Sequence, residues 1–368
     1  MKMALIADWL PTFGGAEHVI AEFHTLWPDA PIFTTVARRG SLGPLDRANI
    51  RLSNLQPWYH LIGRHEVLLP WMPRIMESID LKEYDVIVSS SHAVAKGIIP
   101  PSSALHICYC HTPMRYAWEM EEEYLRDFRV PQFLRRTVKR ILKHIRRWDM
   151  TTAKRVDHFI ANSTTTQERI TRIYGRTSTV IPPPVQEKFF ELPLPTAQER
   201  KGFLAIGRLV PYKRFDLLIE AANRLRLPLT VAGTGRDLTR LKALAGPTVQ
   251  MRGFVPESEL ANLYGQARAL LLPQIEDAGV VPLEAQACGT PVVALKRGGV
   301  LDTVRDGVTG IFFEEQTIDA LQEALNRFEH SIFDPEVIRE HARQFSSERF
   351  REKIASMIRT TYQSFKGS

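Results

Sequence analysis

The chain has 368 residues, 44% hydrophobic and 24% charged, which suits about two domains with cores of their own and excludes a disordered or fibrous protein. A formal net charge of +7 calls for an anionic partner: phosphates, a membrane surface or nucleic acid. Three cysteines, Cys108, Cys110 and Cys288, make no disulfide framework and fit a reducing compartment.

The opening MKMALIADWLP is apolar, but Asp8 interrupts it too early for a signal peptide. No apolar run approaches the roughly 18 residues of a membrane span. KMALIAD reads as a short buried strand, and GGAEHVIAEFHTLW as a glycine turn running into a helix with Val19, Ile20, Phe23 and Trp27 on one face. DVIVSSS and ALHICYCHTP are further buried strands. Cys108 and Cys110 share a face of the second, and with no other cysteine pair they read as core rather than zinc ligands. Next, FLRRTVKRILKHIRRWDMTTAKR sets Leu134, Val138, Ile141, Ile145 and Trp148 along one helical stripe. Between Arg135 and Arg147 it carries seven Lys/Arg and no acid, so residues 133–155 read as a basic amphipathic helix for an anionic membrane surface. HFIANS and TTTQERITRIYG follow as strand and helix.

The proline-rich VIPPPVQEKFFELPLPTAQERKG reads as a linker. Beyond it, GFLAIGRL, LPLTVAGTG, VQMRGFV, ALLLPQ and TPVVALK are strands with helical patterns between them. Strands alternating with helices imply parallel sheets covered on both faces. The expected fold is therefore α/β: two doubly wound Rossmann-like domains over residues 1–184 and 185–345. A C-terminal helix over 346–368 can pack on either domain, and is expected on the first.

In such sheets, ligands sit beyond the carboxyl ends of the strands, often over a helix N-terminus. GRLVPYKR puts Arg208 and Lys213 at one such end, and AGTGRD supplies two glycines at the next. In EDAGVVPLEAQACGTPVVA, Gly279 allows a tight turn into a helix that carries Glu284 among Val280, Val281, Leu283 and Ala287. Taken singly, these read as surface charges, turn formers, a capping pair (Glu276 and Asp277) and a buried salt bridge. Their recurrence at strand ends points to a phosphate-bearing ligand instead.

EDAGVVPLEAQACGTPVVA resembles the E-x7-E signature of the retaining glycosyltransferases of family four, which have the GT-B fold, two such domains facing a cleft. IGRLVPYKRFDLLIEA is similar to that family's second hallmark, and FGGAEHVI to its N-terminal glycine loop. YCHTPMRYAW resembles the branch of O-antigen and exopolysaccharide mannosyltransferases that use GDP-mannose. The resemblance implies that Arg208 and Lys213 bind the donor diphosphate, that Glu276 holds sugar hydroxyls, and that the backbone from Asp277 through Ala278 and Gly279 to Val280 contacts sugar and phosphate. It implies that Glu284 accepts the ribose hydroxyls, that Gly253, Phe254 and Val255 flank the base, that Gly14 and Gly15 approach the diphosphate, and that His111 lies near the sugar. Ala278 departs from the family's usual aromatic residue. No D-x-D pair occurs, so neither a metal nor any other cofactor is expected. The implied activity is metal-independent, retaining transfer of mannose to a lipid-linked or saccharide acceptor in surface polysaccharide or glycolipid synthesis. It would take place in the cytoplasm at the inner face of the cell membrane. The competing readings are a UDP-sugar donor, a non-catalytic sugar-nucleotide-binding subunit and an epimerase. Nucleic acid is not expected as a partner, because no recognised binding module appears.

Overall fold

The computed structural model describes residues 1–119, 121, 125, 131–196 and 199–367. The chain divides into two compact units, Met1–Pro182 joined by the chain from Arg351 onward, and Pro183–Phe350.

The first unit is built on seven parallel strands: β1 (Met3–Ala7), β2 (Ile32–Thr34), β3 (Ile50–Leu52), β4 (Val86–Ser91), β5 (Leu105–Cys110), β6 (His158–Ala161) and β7 (Ser178–Val180). Their order is β3-β2-β1-β4-β5-β6-β7, so the connection reverses direction between β1 and β4. Every residue of β1, β4 and β5 is buried, as expected of strands covered on both faces. Helix α1 (Gly15–Leu26) buries Val19, Ile20 and Phe23, the stripe read from the sequence. Trp27, read with that stripe, is the residue at which the helix stops. Cys108 and Cys110 are buried, and desolvation pushes the Cys108 thiol up to about 12.

The second unit has six parallel strands: β8 (Phe203–Ile206), β9 (Leu229–Ala232), β10 (Val249–Gly253), β11 (Ala269–Leu272), β12 (Val292–Leu295) and β13 (Gly310–Phe313). The order is β10-β9-β8-β11-β12-β13, with the reversal between β8 and β11. Alternate residues feed opposite faces: Leu270 and Leu272 join one core cluster, Ala269 and Leu271 the other. The last helix (Ser347–Gly367) starts in this unit and runs into the first, where Arg351 Nη1 meets Glu22 Oε2 of α1 at 2.5 Å.

The basic helix, α2 (Gln132–Thr152), differs from its reading as one continuous apolar stripe. Ile145 is buried, and Ile141 and Trp148 pack on the cluster that holds Tyr59, Met72 and Met76. Leu134 is 43% exposed and its neighbour Phe133 80%. The helix is thus core at its C-terminal half and open at its N-terminal half. A buried ion pair, Lys96 with Asp149, accounts for the asymmetry. Asp149 also accepts from Trp118 Nε1 at 2.7 Å and from the Tyr174 hydroxyl at 2.8 Å, so its charge is paired and its lone pairs are used. Gly97, next to Lys96, leaves room for the Trp148 ring, which would lie 2.1 Å from a Cβ there.

Breaking a buried pair strands a charge at a cost of about 3–5 kcal/mol, whereas replacing both members is often nearly neutral. Asp149→Ala should therefore lower the urea midpoint sharply, and adding Lys96→Met should restore much of the loss. Equal midpoints for the single and double variants would show that the two charges are not coupled.

Candidate functional site

In the second unit, Arg208, Lys213, the run from Glu276 to Val280 and Glu284 follow the carboxyl ends of β8 and β11, the two strands that flank the reversal, while Gly253, Phe254 and Val255 lie at the end of β10. The loop after β8 closes in a short 3-10 turn, Pro211–Lys213, and Arg214 then takes a left-handed conformation (φ 53°) to start the helix Phe215–Leu225. This returns Lys213 over the sheet edge, where its Nζ lies 2.7 Å from Glu276 Oε1 in the loop after β11. Arg208, in the same loop as Lys213, is exposed. The glycines of AGTGRD are needed by close backbone approach: a Cβ on Gly233 would sit 1.9 Å from Gly207 O, and one on Gly235 2.1 Å from Leu209 O. Gly279 caps the helix Val280–Ala287, and its missing Cβ leaves room for Thr303. Asp277 and Ala278 back onto Gly299, where any side chain would strike their backbone. The Gly299 N–H donates to Glu276 O at 2.8 Å, a support that the sequence reading missed although two adjacent glycines after a strand mark it.

Gln274 was missed as well. It is buried, its Nε2 donates to Glu276 Oε1 at 3.3 Å, and its Oε1 has no partner among the described residues. Gly253 ends β10 with φ 76°, Val255 is buried, and Phe254 stands 74% exposed, a free aromatic face. Glu284 accepts from the Tyr264 hydroxyl at 2.7 Å. Burial pushes its carboxyl up to about 7, against the lowering effects of Tyr264 and of Lys188. A bulkier hollow of about 660 Å³ lies elsewhere in this unit, lined by Phe203, Thr230 and Gln250, and contains none of the predicted residues.

The first unit has its own cluster at the β1/β4 reversal. Gly14 caps α1 3.3 Å from Glu17 Oε2, measured from its would-be Cβ, and the same position on Gly15 meets nothing within 4 Å. His111 follows β5, and its Nε2 lies 2.7 Å from Ser90 Oγ. Burial lowers its pKa to about 3, so the imidazole is neutral. The sequence reading missed Asp8, whose carboxylate accepts from the backbone N–H of His92, Ala93, Val94 and Ala95 at 2.5–3.1 Å and lies 3.0 Å from His92 Nδ1. Trp9 sits between the rings of His65 and His92, at 4.6 and 5.0 Å. Among the described residues, no group of three His, Cys, Asp or Glu is placed to hold a metal ion.

Residues 13–189 match the model of Glycosyltransferase Family 4, and residues 186–345 that of Glycosyl transferases group 1. D-inositol 3-phosphate glycosyltransferase of Geodermatophilus obscurus is 36% identical over 190 residues, 43% of this chain and 42% of that relative. A GDP-mannose-dependent alpha-(1-6)-phosphatidylinositol monomannoside mannosyltransferase of Mycolicibacterium smegmatis is 34% identical over 146 residues, 34% of this chain and 38% of its own. The chain thus spans less than half the length of these relatives. Among solved structures, Anabaena HepE in complex with UDP matches with a TM-score of 0.70 at 18% identity, covering 98% of this chain and all of its own. Sucrose-phosphate synthase from Thermosynechococcus elongatus matches with the same score at 19% identity, over 99% and 100%. At these identities the likeness is one of fold, two Rossmann-like domains of the GT-B kind.

The raised pKa of Glu284 has a stability consequence. The folded chain keeps a proton that the unfolded chain releases near 4.5, so this stabilisation is complete below pH 4.5 and is lost as pH rises through about 7. The stability difference between the parent and Glu284→Gln, measured by urea unfolding from pH 4 to 8, should shift against the parent over that window and level off above it. A difference that stays flat across the range would mean that the carboxyl titrates normally.

Proposed function

From a chain that belongs to the glycosyltransferases, its halves matching the Family 4 and group 1 models, we propose an enzyme that moves mannose from GDP-mannose to a lipid-linked or saccharide acceptor with retention at the anomeric carbon. The observation that carries the reading is the Lys213–Glu276 pair at 2.7 Å, which joins the loops of the two strands at the reversal of the sheet. A cation and a sugar-binding carboxylate side by side, with a helix N-terminus behind them, suit a sugar joined to a diphosphate.

In this reading the diphosphate takes Lys213 from Glu276 and gains Arg208 and the first N–H groups of the helix Val280–Ala287. Those charges stabilise the leaving diphosphate as the glycosidic C–O bond breaks. Glu276, released from Lys213 and steadied by Gln274 and Gly299, turns to the sugar hydroxyls. Glu284 and Tyr264 receive the ribose, and Phe254 offers its exposed ring to the base. In the first unit, Gly14 and Gly15 leave space for a ligand to approach backbone, and neutral His111 offers a hydrogen bond to the sugar without repelling an oxocarbenium-like centre. The leaving phosphate takes the proton of the acceptor hydroxyl on the same face. No metal is assigned a role.

The GDP-mannose donor is supported by the YCHTPMRYAW resemblance and by the mannosyltransferase relative. HepE was solved with UDP, which makes UDP-sugars the competing donors. The lipid-linked acceptor is supported by α2: Arg136, Arg140, Lys143 and Arg147 are exposed next to the open apolar end at Phe133 and Leu134. Each basic group near an anionic leaflet contributes roughly 1 kcal/mol. Among the described residues, no helix is long and apolar enough to cross a membrane, so the proposed attachment is peripheral.

A donor panel of GDP-mannose against UDP-sugars, scored by binding and by hydrolysis, tests this function, and preference for a UDP-sugar would replace the mannosyl reading. With the preferred donor, Arg208→Ala and Lys213→Ala should each lose on the order of 10²–10³ in turnover, as when one preorganised charge stabiliser is removed. Measured at pH 8, where the Glu284 carboxyl is ionised, Glu284→Ala should weaken nucleotide binding by roughly 10–150-fold, the loss of about 1.5–3 kcal/mol in hydrogen bonds to a charged acceptor. Near-normal values in a folded variant would take that residue out of the site.

A further inference from the structure

In the first unit, the segment between β3 and β4 forms three short turns of helix: Gln56–Ile62, His65–Leu68 and Met72–Glu77. Its inward face is complete. Tyr59, Leu68, Leu69, Met72 and Met76 are buried in the same cluster that receives Ile145 of α2. Its outward face is apolar too. Trp58 is 57% exposed, Leu61 79% and Trp71 58%, and Ile62 and Val67 of the same segment are exposed as well. Trp58, Leu61 and Ile62 stand at i, i+3 and i+4 of one helix, so they share its outer face. A short helical segment that has already filled its core position has no structural use for a second apolar face made of tryptophans.

We infer that this face, Trp58, Leu61, Ile62, Val67 and Trp71, is a membrane-inserting patch that seats the first unit in the interfacial zone of an anionic bilayer. The inference deepens the peripheral attachment proposed above and rests on that reading.

Three observations select a bilayer as the occupant. Two tryptophans with leucine, isoleucine and valine match the apolar side of interfacial elements, since an indole carries both apolar area and an N–H for the headgroup layer. Two arginines are exposed along the segment, Arg64, which lies 4.0 Å from Glu66, and Arg74, and Glu66 is the one acid between Leu52 and Arg74. The patch is also fixed to the basic helix, because Glu77, at the end of its last turn, accepts from Trp148 Nε1 of α2 at 2.9 Å and meets Arg155 at 2.8 Å. A second copy of this chain is a poorer fit. Five partly exposed side chains offer on the order of 500 Å², with an aromatic burying about 150–250 Å² when fully covered. A stable interface takes about 800 Å² from each partner.

The full chain is tested against vesicles of phosphatidylcholine alone and with 30% phosphatidylglycerol, some carrying brominated acyl chains that quench nearby indoles. The parent should bind the anionic vesicles with quenching, and part of its binding should survive about 0.5 M salt, where attraction between charges is screened within roughly 4 Å. The conservative double variant Trp58→Phe/Trp71→Phe should still bind and lose most of the quenching, because Trp9, Trp27, Trp118 and Trp148 are not among the exposed side chains. Trp58→Ser/Leu61→Ser/Trp71→Ser should bind at least ten-fold more weakly in high salt, while GDP-mannose binding reports that it is folded. Arg136→Glu/Arg140→Glu/Lys143→Glu/Arg147→Glu should lose the salt-sensitive part alone. Quenching that persists in the double Phe variant overturns the patch and leaves the basic helix standing. If the parent binds no vesicle, both membrane readings fall and the donor chemistry stands. A parent that is dimeric by sedimentation velocity, with a monomeric triple Ser variant, overturns the inference in favour of a contact between copies.

Discussion

A sheet whose strands all run the same way must carry every connection back across one of its faces, so the chain leaves each strand at the same edge. That constraint organises both units. It buries β1, β4 and β5 on both sides, and it delivers Asp8, His92 and His111 to one edge of the first unit. In the second it brings Lys213 to Glu276 and leaves Arg208 exposed in the same loop as Lys213. Where the winding reverses, neighbouring loops part to opposite faces and leave a crevice between them. The conformational burden of the site falls on glycines at that edge. Gly233, Gly235 and Gly299 let backbones approach within distances that no side chain permits.

Much of this was legible in the chain before any coordinates. Nine strands with continuous apolar runs stood out, as did the helix face of Val19, Ile20 and Phe23. The strands that escaped are β2, β3, β7 and β13, of three or four residues each. In β3 the residues after Ile50 are exposed, and β7 is Ser-Thr-Val, so neither offers an apolar run. The candidate residues of the second unit were readable because one local segment holds Glu276, Gly279 and Glu284 together, and another holds Arg208 and Lys213. Asp8 and His92 lie 84 positions apart and meet only because β1 and β4 are neighbours. Gln274 gave no pattern at all: its significance is a buried oxygen with no partner among the described residues.

The basic helix shows the limit of periodicity more sharply. Its stripe from Leu134 to Trp148 alternates steps of four and three residues throughout, and spacing alone cannot say where along the stripe burial stops. Asp149 decides it. A carboxylate held by Lys96, Trp118 and Tyr174 fixes one end of the helix in the unit, while Arg136, Arg140, Lys143 and Arg147 before it are exposed. A charged residue that looked like the end of an amphipathic pattern is the fastening of the element.

The return of the last helix to the first unit has a consequence for the order of biogenesis. Residues 183–350 form a continuous stretch and can complete their core as soon as they leave the ribosome. The larger part of the first unit emerges earlier, yet it waits for Arg351 to reach Glu22, a partner 329 positions upstream. Loop-closure entropy grows slowly with length, about 0.6 kcal/mol for each doubling, so the delay is a matter of timing more than of thermodynamic penalty. Until Arg351 has been made, the flank of α1 around Glu22 stays uncovered. The unit whose strands come first along the chain is thus completed after the unit that follows it.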